Sequence, residues 1–167
     1  MLTASAILRL LALALAALLY AVPAGATTTE DALAVACGPG HGGLVPAVDA
    51  AARRQMLHPV VLVALMHVES HCRADAVSRK GAVCEMQLLG VARNGHTRAE
   101  LQSDSGLCIA TGARWLSLME LWAGSLAGGL GSYNTGKRGH GKGFARHVLA
   151  KVAWIRREID RRRDPRS

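Results

Sequence analysis

The chain has 167 residues, half of them hydrophobic, and a formal net charge of +8. A chain of that size and composition can bury a real core as one domain, which excludes disorder of the whole. The positive balance suits a polyanionic partner, and peptidoglycan with acidic stem peptides, nucleic acid and anionic lipid all qualify, so charge alone selects none of them.

In residues 1–26, Arg9 precedes an apolar run from Leu10 to Leu19, followed by Val22-Pro23 and the small residues Ala24-Gly25-Ala26. A membrane-spanning helix needs about 20 apolar residues. This shorter run with its small-residue end reads as a signal peptide cut after Ala26, an uncleaved anchor being the alternative. Loss of Arg9 with the signal takes the net charge from +8 to +7. The mature chain is then expected in the periplasm or outside the cell, with no stable membrane insertion. Ala34-Val35-Ala36-Cys37 is faintly like a lipoprotein cleavage site, but Glu30 and Asp31 separate it from the apolar run. Cys37 therefore reads as a thiol for pairing. Cys37, Cys72, Cys84 and Cys108 all lie in the mature chain, and four cysteines in an exported protein suggest two disulfides, with three connectivities open.

Residues 27–43 are small, polar and Gly-rich, and read as an irregular lead-in to a domain over 44–163, with 164–167 as a tail. Val45, Val48, Ala52 and Met56 recur near helical spacing, which predicts a first helix over 45–56. Pro59 suits a first helical position, and the apolar run Val60 to Val68 predicts a buried helix with Glu69 at its end. A carboxyl there meets both the cost of burial and the negative end of the helix dipole, so its pKa should be raised. Residues 72–85 suit a loop or a small irregular sheet, before another helical start near Met86. Further helices are predicted over 106–122, about 123–132 and 143–163. The fold class is therefore mainly α with one small β or loop element. The crowd of Arg156, Arg157, Arg161, Arg162 and Arg163 reads as a solvated face of the last helix.

Two motifs fail on inspection. His67 and His71 lie four apart on one helical face, but a zinc protease needs its Glu directly after the first His. Glu69 comes two residues after His67, about 200° round the helix, so no metal is expected. Gly136-Lys137-Arg138-Gly139-His140-Gly141-Lys142-Gly143 has the glycine and lysine spacing of a phosphate-binding loop. Gly143, however, stands where Ser or Thr would hold magnesium, and no strand precedes it. It reads as a flexible basic loop near the substrate.

The run from Glu69-Ser70 through Ala76-Val77-Ser78 and Gly81-Ala82 to Met86-Gln87 resembles the signature of the soluble lytic transglycosylase group of lysozyme-like enzymes. Gly106 to Leu116 is similar to that family's Gly-Ala-x-x-Leu helix, and Ser132-Tyr133-Asn134-Thr135-Gly136 to its Tyr-Asn-x-Gly turn. The three blocks come in family order between residue 58 and about 152. The sequence departs from the pattern where Cys84 and Glu85 replace Gly and Leu, and where Cys108 stands near a frequent Asn.

The resemblance implies a helical, lysozyme-like fold of the goose type and cleavage of peptidoglycan glycan strands without a cofactor. In that chemistry Glu69 protonates the leaving O4 of N-acetylglucosamine and then takes the proton from the C6 hydroxyl of N-acetylmuramic acid, giving a 1,6-anhydro end. Carried over by position, Ser78, Met86 and Gln87 line the glycan groove, and Tyr133 with Asn134 forms its other wall. Cys37 and Cys108 also resemble the branch associated with secretion and conjugation systems, which implies a Cys37–Cys108 bond and, with it, Cys72–Cys84. The partners are then peptidoglycan and an envelope-spanning apparatus rather than nucleic acid. Two alternatives stand beside this reading. One is a hydrolytic goose-type muramidase in which Asp75, Glu85 or Asp104 positions water. The other is a peptidoglycan-binding component without catalysis.

Overall fold

The structure, a computed structural model, describes residues 27–164; the expected signal peptide over 1–26 and the last three residues of the tail lie outside them. Seven α-helices follow in chain order: α1 (Thr29–Ala36), α2 (Val45–Gln55), α3 (Pro59–Ser70), α4 (Arg98–Ser103), α5 (Ser105–Ala123), α6 (Leu126–Thr135) and α7 (Lys142–Arg163). The prediction of a mainly helical chain holds, and most boundaries fall within three residues of those read from the sequence.

α3 is the centre of the molecule. Every side chain from Val60 to Met66 is buried, because α1, α2 and α7 all pack around it. His58 caps its start, with Nδ1 accepting from the Val60 amide at 3.2 Å. The left-handed backbone of His71 ends it. His67 is engaged as a brace: its Nδ1 lies 2.6 Å from the Ala36 carbonyl. A carbonyl only accepts, so that nitrogen carries the proton, and α3 is tied to α1. α5 packs on α2 and α6, and α6 on α7.

Four expectations are corrected. Residues 27–43 are not irregular: α1 forms there, started by Thr28 accepting from the Asp31 amide at 3.1 Å, and a 3-10 turn follows over Pro39–Leu44. No helix begins near Met86. Instead the chain from Val77 to Leu88 folds on itself through two antiparallel bridges, Val77 with Val83 and Val83 with Leu88, and then takes a 3-10 turn over Gly90–Arg93. Met56 is not a core residue of α2; it is 94% exposed at the left-handed turn that ends the helix.

The disulfides join Cys37 to Cys72 and Cys84 to Cys108, not Cys37 to Cys108 and Cys72 to Cys84. Packing of α1 on α3 brings together the segments just beyond their C-terminal ends, where Cys37 and Cys72 sit with Cα atoms 5.6 Å apart. The loop carrying Cys84 lies under the first turn of α5, where Cys108 is 6.4 Å away between Cα atoms. Both spans are within the reach of a disulfide.

Candidate active site

Glu69 stands in the last turn of α3, at one wall of a cleft of about 430 Å³. Ser78, Lys80 and Gln87 line the cleft from the bridged segment, Trp115 from α5, and Tyr133 and Asn134 from the last turns of α6. Among the described residues, no side chain hydrogen-bonds or ion-pairs with the Glu69 carboxyl. Burial among apolar neighbours therefore acts unopposed, and pushes its pKa from the ordinary 4.5 up to about 7. The direction is the one expected from the sequence.

The cleft is held by hydrogen bonds from behind. The Tyr133 hydroxyl donates to the Met86 carbonyl at 2.7 Å, which fixes α6 against the bridged segment. Burial first, and the nearby Glu69 charge second, hold that hydroxyl's pKa well above its ordinary value. The Gln87 amide donates to the carbonyls of Ala76 and Cys84 at 3.3 and 3.2 Å, and Ser78 Oγ accepts from the Ala82 amide at 3.0 Å. Trp115 Nε1 donates to the Tyr133 carbonyl at 3.4 Å.

Of the groove residues carried over from the resemblance, Ser78, Gln87, Tyr133 and Asn134 line the cleft with Glu69, and Met86 does not. The Met86 side chain is fully buried and packs where Gly112 of α5 leaves room: a Cβ on Gly112 would come within 2.7 Å of its Cβ and Cγ. Its contribution is the carbonyl that Tyr133 holds.

The carboxylates weighed as water-positioning groups lie elsewhere. Asp75, Glu85 and Asp104 are all outside the cleft lining. Asp104 caps α5, accepting from the Leu107 amide at 2.9 Å. Glu85 is 1% exposed and accepts from the Ser105 hydroxyl, in a second depression with Cys72 and Arg73.

The backbone explains the cysteine that replaces glycine in the signature. Cys84 has φ +63° and Gln87 φ +48°, both in the left-handed region. Glycine enters that region freely and other residues at a cost. At Cys84 the bond to Cys108 fastens the turn.

Sequence reasoning passed over Ser70, Lys80 and Trp115. The Ser70 hydroxyl donates to the Met66 and Glu85 carbonyls at 3.2 and 2.9 Å and accepts from the Arg73 amide at 3.1 Å. It thereby fixes the end of α3 on which Glu69 stands. Its place directly after the glutamate in the signature was the available signal.

A family model described as the transglycosylase SLT domain matches residues 46–150. No curated protein matches the sequence.

Proposed function

The chain belongs to the transglycosylase SLT domain family, and from that premise we propose that it is an exported lytic transglycosylase in which Glu69 is both general acid and general base. One observation carries the reading. Among the described residues Glu69 is the only carboxyl lining the cleft, and burial raises its pKa to about 7. An acid that must give a proton and then take one back works best with a pKa near the operating pH.

In the first step the protonated Glu69 donates to the glycosidic oxygen, and the bond from O4 of N-acetylglucosamine to C1 of N-acetylmuramic acid breaks. The carboxylate left behind takes the proton of the C6 hydroxyl as that oxygen bonds to C1. Glu69 ends as it began, and a 1,6-anhydro sugar leaves. Glycosidases that employ water or a covalent nucleophile generally carry two carboxyls across the scissile bond. A cleft with one carboxyl favours attack from within the substrate over the muramidase route through Asp75, Glu85 or Asp104.

Ser78, Gln87 and Asn134 are proposed to bind the glycan, with Tyr133 shaping the wall through its bond to Met86. Two disulfides among the described residues support export to an oxidising compartment. No helix among those residues is long and apolar enough to cross a membrane.

Release of muropeptides from purified sacculi tests the assignment. Glu69→Gln keeps the size of the side chain and removes its acid, and should lower the rate at least ~10²-fold while leaving sacculus binding intact. Release at the parental rate would move the chemistry to another residue.

A further inference from the structure

A second groove, of about 440 Å³, lies between the start of α6 and the first turns of α7. Its walls are apolar, from Ala127, Gly128, Ala145 and Leu149, and its rim is basic, from His140, Lys142 and Arg146. No acidic residue lines it and none occupies the first turn of α7. Lys137 and Arg138, exposed in the loop leading to it, add to the same charge. Among the described residues, none of the cations Lys137, Arg138, Lys142 and Arg146 forms an ion pair. The basic loop over 136–143 has no part in the cleft beyond Gly136 at its edge.

The groove is built rather than loose. Gly131 and Gly141 meet backbone to backbone, since a Cβ on Gly141 would lie 2.3 Å from the Gly131 carbonyl oxygen. That contact fixes His140 and Lys142 beside α6. Gly128 abuts Ala123 in the last turn of α5, where an added Cβ would come within 2.8 Å of the Ala123 Cβ. Directly before Ala123 stand Leu121 and Trp122, 83% and 46% exposed.

Apolar walls under a rim carrying Lys142 and Arg146 form the combination that seats a surface in the interfacial layer of a membrane. We propose that this face docks peripherally on a bilayer containing anionic phospholipids, with the lipid headgroup at Lys142 and Arg146 and apolar chain in the groove. Gly136 at the cleft edge and Gly139 at the groove belong to one loop. Docking there would keep the cleft close to the membrane surface.

Cosedimentation of the mature chain with vesicles tests the proposal independently of any glycan cleavage. The chain should bind phosphatidylcholine vesicles containing about one third phosphatidylglycerol, not pure phosphatidylcholine, and release as salt is raised toward ~0.5 M. Lys142→Glu with Arg146→Glu should weaken binding at least ~10-fold without lowering the melting temperature. Arg156→Glu with Arg157→Glu, a matched charge change elsewhere on α7, should leave it in place. Leu149→Glu, which puts a charge on the apolar wall, should weaken binding to the same vesicles as well. The proposal is overturned if the parent ignores anionic vesicles, or if the two charge variants lose binding equally. It is also overturned if soluble polyphosphate competes fully while Leu149→Glu binds vesicles like the parent, because a simple anion site would then account for the binding.

Discussion

At the level of single residues, Glu69 stands in the wall of the cleft and Ser70 fixes the turn that carries it. Burial raises the folded pKa of Glu69 from 4.5 to about 7, so the carboxyl is harder to ionise in the folded chain than in the unfolded one. The destabilisation is therefore absent below pH 4.5, grows as the pH rises through that window and is complete above about 7. Glu69→Gln removes it, and should stabilise the chain by up to about 3 kcal/mol at pH 8, with the gain vanishing near pH 4. Thermal melting of both proteins across that range checks the sign, and a gain that grew toward acid would contradict it. The same titration should make the cleavage rate fall as the pH rises past about 7, because the acid form is lost. Ser70→Ala removes the hydroxyl that the Glu85 carbonyl and the Arg73 amide use as partner at the end of α3, while the Met66 carbonyl still accepts from the Cys72 amide. It should cost about 1–3 kcal/mol and lower the cleavage rate, with no loss of the Glu69 carboxyl itself. Placing Glu69 was possible from sequence because an acid ending a wholly apolar helix is unusual; placing Met86 was not. A methionine in a signature is equally compatible with groove and core, and only the empty space over Gly112 decides for the core.

At the level of elements, the long helices were legible because their apolar residues repeat along one face or, in α3, surround the axis. The short ones were missed although each carries a starting signal. Thr28 and Asp31 open α1. Thr97 and Glu100 close a reciprocal capping box at α4, with the Thr97 amide donating to Glu100 at 2.7 Å and the Glu100 amide to Thr97 at 3.2 Å. A Gly-rich neighbourhood hid the first and the absence of a strong apolar repeat hid the second. Close packing between elements gives a further prediction. Gly131→Ala drives a methyl group into the His140 carbonyl at 2.3 Å, and backbone cannot swing aside as a side-chain tip can. The substitution should destabilise the chain by at least about 1–3 kcal/mol, as overpacking does, and calorimetry of the purified variant would show it. An unchanged melting temperature would mean that the loop over 136–141 does not sit on α6.

For the molecule as a whole, sequence could establish the class and the order of the signature blocks but not the cysteine partners, which depend on how helices pack. The Cys37–Cys72 and Cys84–Cys108 bonds close spans of 35 and 24 residues. Each should contribute about 3–4 kcal/mol through restriction of the unfolded chain. Non-reducing peptide mapping should recover these two pairs, and a Cys37–Cys108 peptide would refute the arrangement. This pairing overturns the Cys37–Cys108 bond that the likeness to the secretion-associated branch implied. Both bonds bear on the cleft: Cys72 follows Glu69 by three residues, and Cys84 sits in the turn that carries Gln87. Around that framework the proposed chemistry has a single carboxyl in the cleft cleave the glycan with the substrate's own hydroxyl as nucleophile. Mass spectrometry of the muropeptides that the mature chain releases from purified sacculi tests it most directly. The expected products carry 1,6-anhydro-N-acetylmuramic acid ends that Glu69→Gln no longer produces, whereas free reducing ends, heavier by one water, would contradict the assignment.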